Sequence, residues 1–162
     1  MRRNKSDTIK DADGAKLKAM RLLMYRPRTE KELYDRLLEE GFSEEDTASA
    51  MAYVRSFGYL NDESFASGYV AARSREKGKL RLARELSEKG VAREIIEEVL
   101  GADEEEEEEK VYRLLLKRAG EPHLPDEKEV RRLSGFFARR GFSTGAFIAA
   151  LKRYREEYHG EE

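Results

Sequence analysis

Apolar residues recur along this chain at helical spacing, in three blocks that can be laid over one another. Three glycines, Gly41, Gly90 and Gly141, lie 49 and 51 residues apart, and their surroundings agree. Four positions before them stand Leu37, Leu86 and Phe137, and eight before stand Leu33, Leu82 and Leu133. One position after come Phe42, Val91 and Phe142, and ten after come Met51, Leu100 and Leu151. Apolar side chains at i and i+4 share one helix face, and a period of this length marks a tandem helical repeat. Each glycine is placed to end a helix in the left-handed conformation that other residues adopt only at a cost.

Two positions beyond each glycine stands Ser43, Ala92 or Ser143. Serine is a good N-cap, so a second helix is predicted to start at once. The apolar residue in between can then pack on the fourth helical residue as a hydrophobic staple, Val91 on Ile96 and Phe142 on Phe147. The pattern is imperfect at two points. Phe42 meets only Thr47, and Ala92 is a poor cap.

A further helix precedes each pair. The first runs from about Ala15 to Tyr25, before Pro27, and Thr29 with Glu32 then forms a capping box for the helix that follows. The second, capped by Asn61 or Asp62, holds Phe65, Tyr69 and Val70 and ends near Gly78. The third carries Val111, Leu114 and Leu115 on one face and stops before Gly120 and Pro122. No segment shows the sustained alternation of a strand. The predicted fold is therefore all-α: nine helices as three tandem three-helix repeats. Three short helices bury little surface alone, so the repeats are expected to stack into an elongated, curved array. The expected boundaries are a charged tail over 1–14, repeats over 15–61, 62–101 and 102–158, and a tail over 159–162. The third repeat opens on an acidic segment. The linker over 101–109 is the softest boundary, although its acids suit a helix N-terminus equally well.

Charge sharpens this picture. Charged residues make up 41% of the 162 residues and apolar ones 39%, with a net charge of −2. The balance hides opposite blocks. Residues 1–28 hold nine bases and three acids, and 30–63 hold ten acids and three bases. Residues 97–109 hold nine acids and no base, and 128–155 hold eight bases and one acid. Net charge is thus no guide to partners. There is no cysteine, which excludes disulfides and thiolate chemistry. No apolar run approaches a membrane span, and the N-terminus lacks the apolar core of a secretion signal. The chain reads as a cytoplasmic monomer with no membrane contact.

Catalytic chemistry is scarce. His123 and His159 fall in a Pro-flanked loop and near the C-terminus, without metal-ligand spacing, and read as exposed. The acidic run 103–109 lacks the ordered geometry of a calcium loop and reads as solvated. No phosphate-binding glycine loop or nucleophile elbow is present. Neither a cofactor nor a metal is expected, and the chain reads as a non-enzymatic binding protein.

What remains is basic surface. Arg73, Arg75, Lys77, Lys79, Arg81 and Arg84 are interrupted by one acid, Glu76. A second cluster comprises Arg131, Arg132, Arg139, Arg140, Lys152, Arg153 and Arg155. Any one of these reads as a solvated helix face, whereas the clusters together suit an interaction role. That role is either phosphate contact with nucleic acid or pairing with an acidic protein groove. Tyr53, Phe57, Tyr59, Phe65 and Tyr69 could stack single-stranded bases, but their spacing reads rather as core and inter-helix packing. Phe136, Phe137, Phe142 and Phe147 read as core.

The segment Phe57-Gly58-Tyr59-Leu60-Asn61-Asp62, followed by Phe65-Ala66, Tyr69-Val70 and Arg73, resembles the RecX family of bacterial recombinase regulators. The similarity continues through Gly78, Leu82, Glu85-Leu86, Lys89-Gly90-Val91 and Ile95-Ile96 and spans about residues 15–157. The resemblance implies a partner, the RecA recombinase filament on single- or double-stranded DNA. It implies that filament growth, ATP hydrolysis and strand exchange are restrained. It supplies no catalytic residues, and only basic positions near 58–73 are carried over as contacts. Two other readings stand beside it: a direct nucleic-acid-binding module, and a helical scaffold for another acidic partner.

Overall fold

The computed structural model describes residues 10–101 and 103–160, so most of the expected N-terminal tail (1–9) and the last two residues lie outside the described residues. Nine α-helices and no strand occur among the described residues. They are α1 (Ala12–Tyr25), α2 (Glu30–Glu39), α3 (Glu44–Ser56), α4 (Asp62–Arg73), α5 (Lys79–Glu88), α6 (Arg93–Leu100), α7 (Glu104–Ala119), α8 (Glu127–Arg139) and α9 (Thr144–Glu156). Two compact units form. The first comprises the described residues up to Gly68 together with Ser87–Ile95; the second comprises Tyr69–Leu86 and everything from Ile96 onward.

In the first unit α1 packs along α3. Ala15 and Ala19 present a small-residue face on α1, and Ala50, Met51 and Val54 bury against the same core as Leu33, Leu37, Phe42 and Leu60. Each fully buried leucine there contributes about 1.5–3 kcal/mol. Helix α1 starts three residues earlier than the apolar pattern suggests, because the Asp11 carboxylate accepts from Gly14 N–H at 2.7 Å. In the second unit α7, α8 and α9 enclose Val111, Leu115, Leu133, Phe147, Leu151 and Tyr154. Phe137 is the hub, stacked on Phe147 at 5.5 Å and edge-on to Phe142 at 5.8 Å. The ring geometry, stacked in one contact and edge-on in the other, adds to area burial at both.

The repeat glycines behave as their spacing requires. Gly41, Gly90 and Gly141 have φ of +95°, +86° and +83°. Around Gly41 and Gly141 the full two-bond cap forms: Phe42 N–H donates to Leu37 O and Gly41 N–H to Leu38 O, and Phe142 and Gly141 do the same to Phe137 and Ala138. Ser43 and Ser143 cap α3 and α9, each accepting an N–H at 3.1 Å. Thr29 accepts from Glu32 N–H, but the Glu32 carboxylate turns to Arg26 at 3.1 Å, so only half of the capping box is made. Asn61 caps α4, accepting from Ser64 N–H.

A second regularity was not apparent from spacing. Twelve residues before Gly41, the buried Thr29 hydroxyl donates to the carbonyl of Lys89, the residue preceding Gly90. Twelve before Gly90, the Gly78 N–H donates to the carbonyl of Arg140, the residue preceding Gly141, at 2.7 Å. One position on, the pattern repeats with an acid as partner. Glu30 N–H donates to the Asp62 carboxylate at 2.9 Å, and Lys79 N–H donates to the Glu107 carboxylate at 2.8 Å. Each unit thus contains one junction in which the glycine turn of one repeat accepts from the residue ahead of the preceding repeat's middle helix, by hydroxyl at Thr29 and by N–H at Gly78, and an acid of the opening helix takes that middle helix's first free amide. Gly78 could carry no side chain here, since a Cβ would lie 2.3 Å from Gly141 O. Helix α4 accordingly ends at Arg73, well short of Gly78, and residues 74–77 turn the chain toward the junction.

Two expectations are corrected. Residues 104–109 are helical, the Asp103 side chain caps α7 at Glu106 N–H, and Glu107 is only 6% exposed because it serves the α5 junction. The run thus opens α7, the alternative its acids allowed, and what is corrected is the reading of it as wholly solvated. Tyr53, Phe57 and Tyr59 are exposed rather than in a core, because the turn after α3 sends Leu60 inward in their place.

Candidate functional site

The second unit carries a basic groove. One wall is α7, where Lys110, Arg113, Lys117 and Arg118 fall at helical spacing beside the core positions Val111 and Leu115. The other walls are Arg75 and Glu76, in the turn after α4, and Phe136 and Arg140 at the end of α8. The enclosed volume is about 840 Å³, lined by six cations against one acid. A smaller hollow of about 430 Å³ adjoins it through Glu76, Phe136 and Arg140 and adds Lys77, Arg81 and Arg139.

Main-chain contacts hold the walls, joined by one of the cations, since Arg140 Nη1 also donates to Glu76 O at 3.4 Å. The Gly78 to Arg140 bond and a bond from Leu80 N–H to Gly141 O, 3.1 Å, fix the turn against α8. Phe136 acts as a platform: the guanidinium carbons of Arg118 and Arg140 lie 3.9 and 4.6 Å from its ring centroid. Such contacts add about 0.5–1 kcal/mol at exposed sites and orient both groups. Beneath the smaller hollow, Glu85 gathers Lys77 Nζ at 2.8 Å, Tyr69 Oη at 2.7 Å and Arg81 Nε at 3.2 Å. Burial works against the Glu85 carboxylate, but the bonds from Lys77 and Tyr69 outweigh it and bring its pKa down to about 2. Burial and the bond to Glu85 push the Tyr69 hydroxyl up to about 12. At ordinary pH Glu85 therefore stays a carboxylate and Tyr69 keeps its proton, so the bond between them persists.

The thirteen basic residues singled out from sequence divide accordingly. Arg75, Lys77, Arg81, Arg139 and Arg140 come together in the two hollows. Arg73 instead stacks on Tyr69 at 3.9 Å, and Lys79 turns to the carbonyls of Gly101 and Asp103. Arg153 bonds Glu109 and Glu157 and covers Tyr112, while Lys152 and Arg155 border a separate apolar hollow with Val130 and Ile148. Arg84, Arg131 and Arg132 are exposed and do not line the groove. The groove's α7 residues escaped the sequence reading. Their signal, i, i+3, i+7 and i+8 cations, was legible, but it sits directly behind an acidic run.

His123 is also more engaged than its loop position suggests. Its Nδ1 lies 2.9 Å from Tyr154 Oη and 3.0 Å from Glu121 O, and its Nε2 lies 2.9 Å from Glu129. Among the described residues no group of three His, Asp or Glu is arranged to hold a metal ion, and no helix is long and apolar enough to cross a membrane.

Fold and groove together define a tandem three-helix-repeat protein with a cation-lined groove. Three family models match it in tandem: the first, second and third three-helix domains of RecX, over residues 15–53, 61–100 and 104–155. The chain belongs to the RecX family, a family of regulatory proteins. It is 36% identical to "Regulatory protein RecX" of Amycolatopsis mediterranei, over 86% of this chain and 82% of that one. It is 35% identical to the protein of the same name from Mycolicibacterium vanbaalenii, over 93% and 89%. Among solved structures, RecX from Lactobacillus salivarius shares the fold with a TM-score of 0.77 and 23% identity, over 89% of this chain and 96% of that one.

Proposed function

We propose that the chain binds the RecA–DNA filament in the cytoplasm and restrains its recombinase and ATPase activities, acting as a monomer without catalysis of its own. Membership of a regulatory family supports the class of function, and the observation that carries the mode of binding is the convergence of Arg75, Lys110, Arg113, Lys117, Arg118 and Arg140 on one groove. Six cations facing one acid suit an anionic surface, whether carboxylate or phosphate, and such complementarity governs encounter rate and register more than it adds raw affinity. Lys77 and Arg81 are poorer probes of this contact, because both hold Glu85 and their reversal would disturb the fold.

The test adds the protein to its cognate recombinase on single-stranded DNA and follows ATP hydrolysis and filament length. Wild type is expected to lower both, and Arg75→Glu/Arg113→Glu/Lys117→Glu to lose the effect while keeping its helicity. No change by wild type at stoichiometric concentration refutes the proposal. The same groove favours a second reading, direct nucleic-acid binding, since six cations can follow a phosphate backbone. That reading requires affinity for bare DNA, with log K falling against log salt with a slope of about −4 for six phosphates on a single strand. Weak, salt-insensitive binding counts against it.

A further inference from the structure

The first unit offers a surface of different chemistry. Helix α3 ends at Ser56, and the chain turns through Gly58, whose φ of +71° lets Gly58 N–H reach Arg55 O and Tyr59 N–H reach Val54 O. This turn sets Phe57 and Tyr59 side by side, with centroids 5.9 Å apart and planes 21° from parallel. One helical turn back, Tyr53 meets Phe57 edge-on at 5.0 Å. The three rings are 38%, 58% and 54% exposed, while the next residue, Leu60, is buried. A contiguous aromatic surface turned to water is unfavourable for a lone chain and marks a place where something else covers it.

The groups around the rings select what that is. Arg55, the cation nearest in sequence, is engaged by Glu30, Nε to Oε1 at 2.6 Å. Asp62 and Glu63 follow the rings directly, within a stretch (30–63) that holds ten acids and three bases. Burial, together with the Glu30 and Glu32 carboxylates, pushes Asp62 above its ordinary value even though Glu30 N–H bonds to it. With Arg55 paired to Glu30, the charges that follow the rings in sequence are acids, a balance that disfavours phosphates and favours cations. One ring already shows the preference: Lys16 Nζ lies 5.3 Å from the Tyr53 centroid.

We propose that the ledge formed by Tyr53, Phe57 and Tyr59 is a docking surface for a protein partner that lays an arginine or lysine, flanked by aliphatic side chains, across the rings. It is not a stacking platform for nucleic-acid bases. The assignment rests on the reading that the chain engages a recombinase protein, and it gives the two units complementary tasks, one toward anionic groups and one toward a cation-bearing protein face.

Three measurements on the full chain test it. In the first, aromatic NMR signals of Phe57 and Tyr59 are followed with a short leucine–arginine peptide and with oligothymidylate. The rings are expected to shift with the peptide and to ignore the oligonucleotide. In the second, recombinase binding without DNA is compared for wild type and Phe57→Ala/Tyr59→Ala, with circular dichroism confirming the fold. A loss of at least tenfold is expected. In the third, Phe57→Leu/Tyr59→Leu keeps apolar area but removes the π faces, and an intermediate loss is expected. Ring shifts with oligothymidylate, or equal recombinase binding by wild type and the double alanine variant, overturn the ledge. Ring shifts with the peptide in a wild type that ignores the recombinase leave the ledge standing and refute the regulatory reading instead.

Discussion

The three repeat glycines make one perturbation into a graded experiment, because the same Gly→Ala change meets a different neighbour at each. All three glycines have φ between +83° and +95°, so alanine carries a common backbone cost of roughly 1–2 kcal/mol. At Gly41 the new Cβ would meet only the far end of Lys10, at 3.8 Å, and the cost should end there. At Gly90 it would lie 2.4 Å from Lys31 Cβ, which cannot swing away, and it would strain the nearby bond from Thr29 to Lys89 O. Losing that bond adds about 0.5–1.5 kcal/mol. At Gly141 it would lie 2.4 Å from the main-chain nitrogen of Arg81 and 2.2 Å from its Cβ. The junction must open there, releasing the bonds from Gly78 to Arg140 and from Leu80 to Gly141. With two bonds lost, the total reaches about 2–5 kcal/mol. Urea unfolding followed by circular dichroism should therefore rank the variants G41A, G90A, G141A in order of increasing loss. Hydrogen exchange adds a local readout, since the Gly78 and Leu80 amides should lose protection in G141A alone. Equal losses at the three positions, or unchanged protection of those amides, would refute the junction account.

Three further outcomes follow from contacts described above. Glu107→Ala should lower stability by about 0.5–2 kcal/mol in urea unfolding, as an N-cap deletion does, while Glu107→Gln, which keeps an acceptor for Lys79 N–H, should lose less. Thr29→Val keeps the shape but orphans Lys89 O and Glu32 N–H, and thermal unfolding should show a loss of about 1–3 kcal/mol. His123 is raised above the ordinary 6.5 by its bond to Glu121 O, against burial and with help from Glu129. A raised cation stabilises the fold fully below its unfolded value, and the contribution disappears as pH rises through the folded value. The His123 ring signal should accordingly titrate above 6.5, and Glu129→Gln should bring it down; a midpoint at or below 6.5 in wild type would count against the contact.

Much of the fold could be read from short-range pattern, and the groove largely could not. Glycine termination, serine caps and i, i+4 apolar pairs are local causes, so Gly41, Ser43 and Leu37 could be assigned from their neighbours in the chain. Junction chemistry is long-range. Nothing near Glu107 in sequence distinguishes it from the five other glutamates of its run; its identity comes from an amide 28 residues away. The basic clusters were visible, yet Arg153 and Lys79 were drawn off by distant acceptors, and α7 supplied four cations that its acidic opening masked. The exposed rings were misread for a related reason. The period of an apolar pattern gives a face, but the turn at Gly58 decides which of Phe57, Tyr59 and Leu60 goes inward.

The junctions also bear on how such a chain can change over time. Lys89 O, Arg140 O, and the amides of Glu30, Lys79 and Gly78 belong to the main chain, whose carbonyl every residue type provides and whose N–H every type but proline provides. Residue identity is demanded at few points: a hydroxyl at 29, a carboxylate at 62 and 107, and glycine at 78, 90 and 141. Successive repeats are therefore free to drift far apart in composition, one acidic and another basic, without losing the way they join. Duplicated helices can in this manner acquire separate partners while the seams between them keep the same specification.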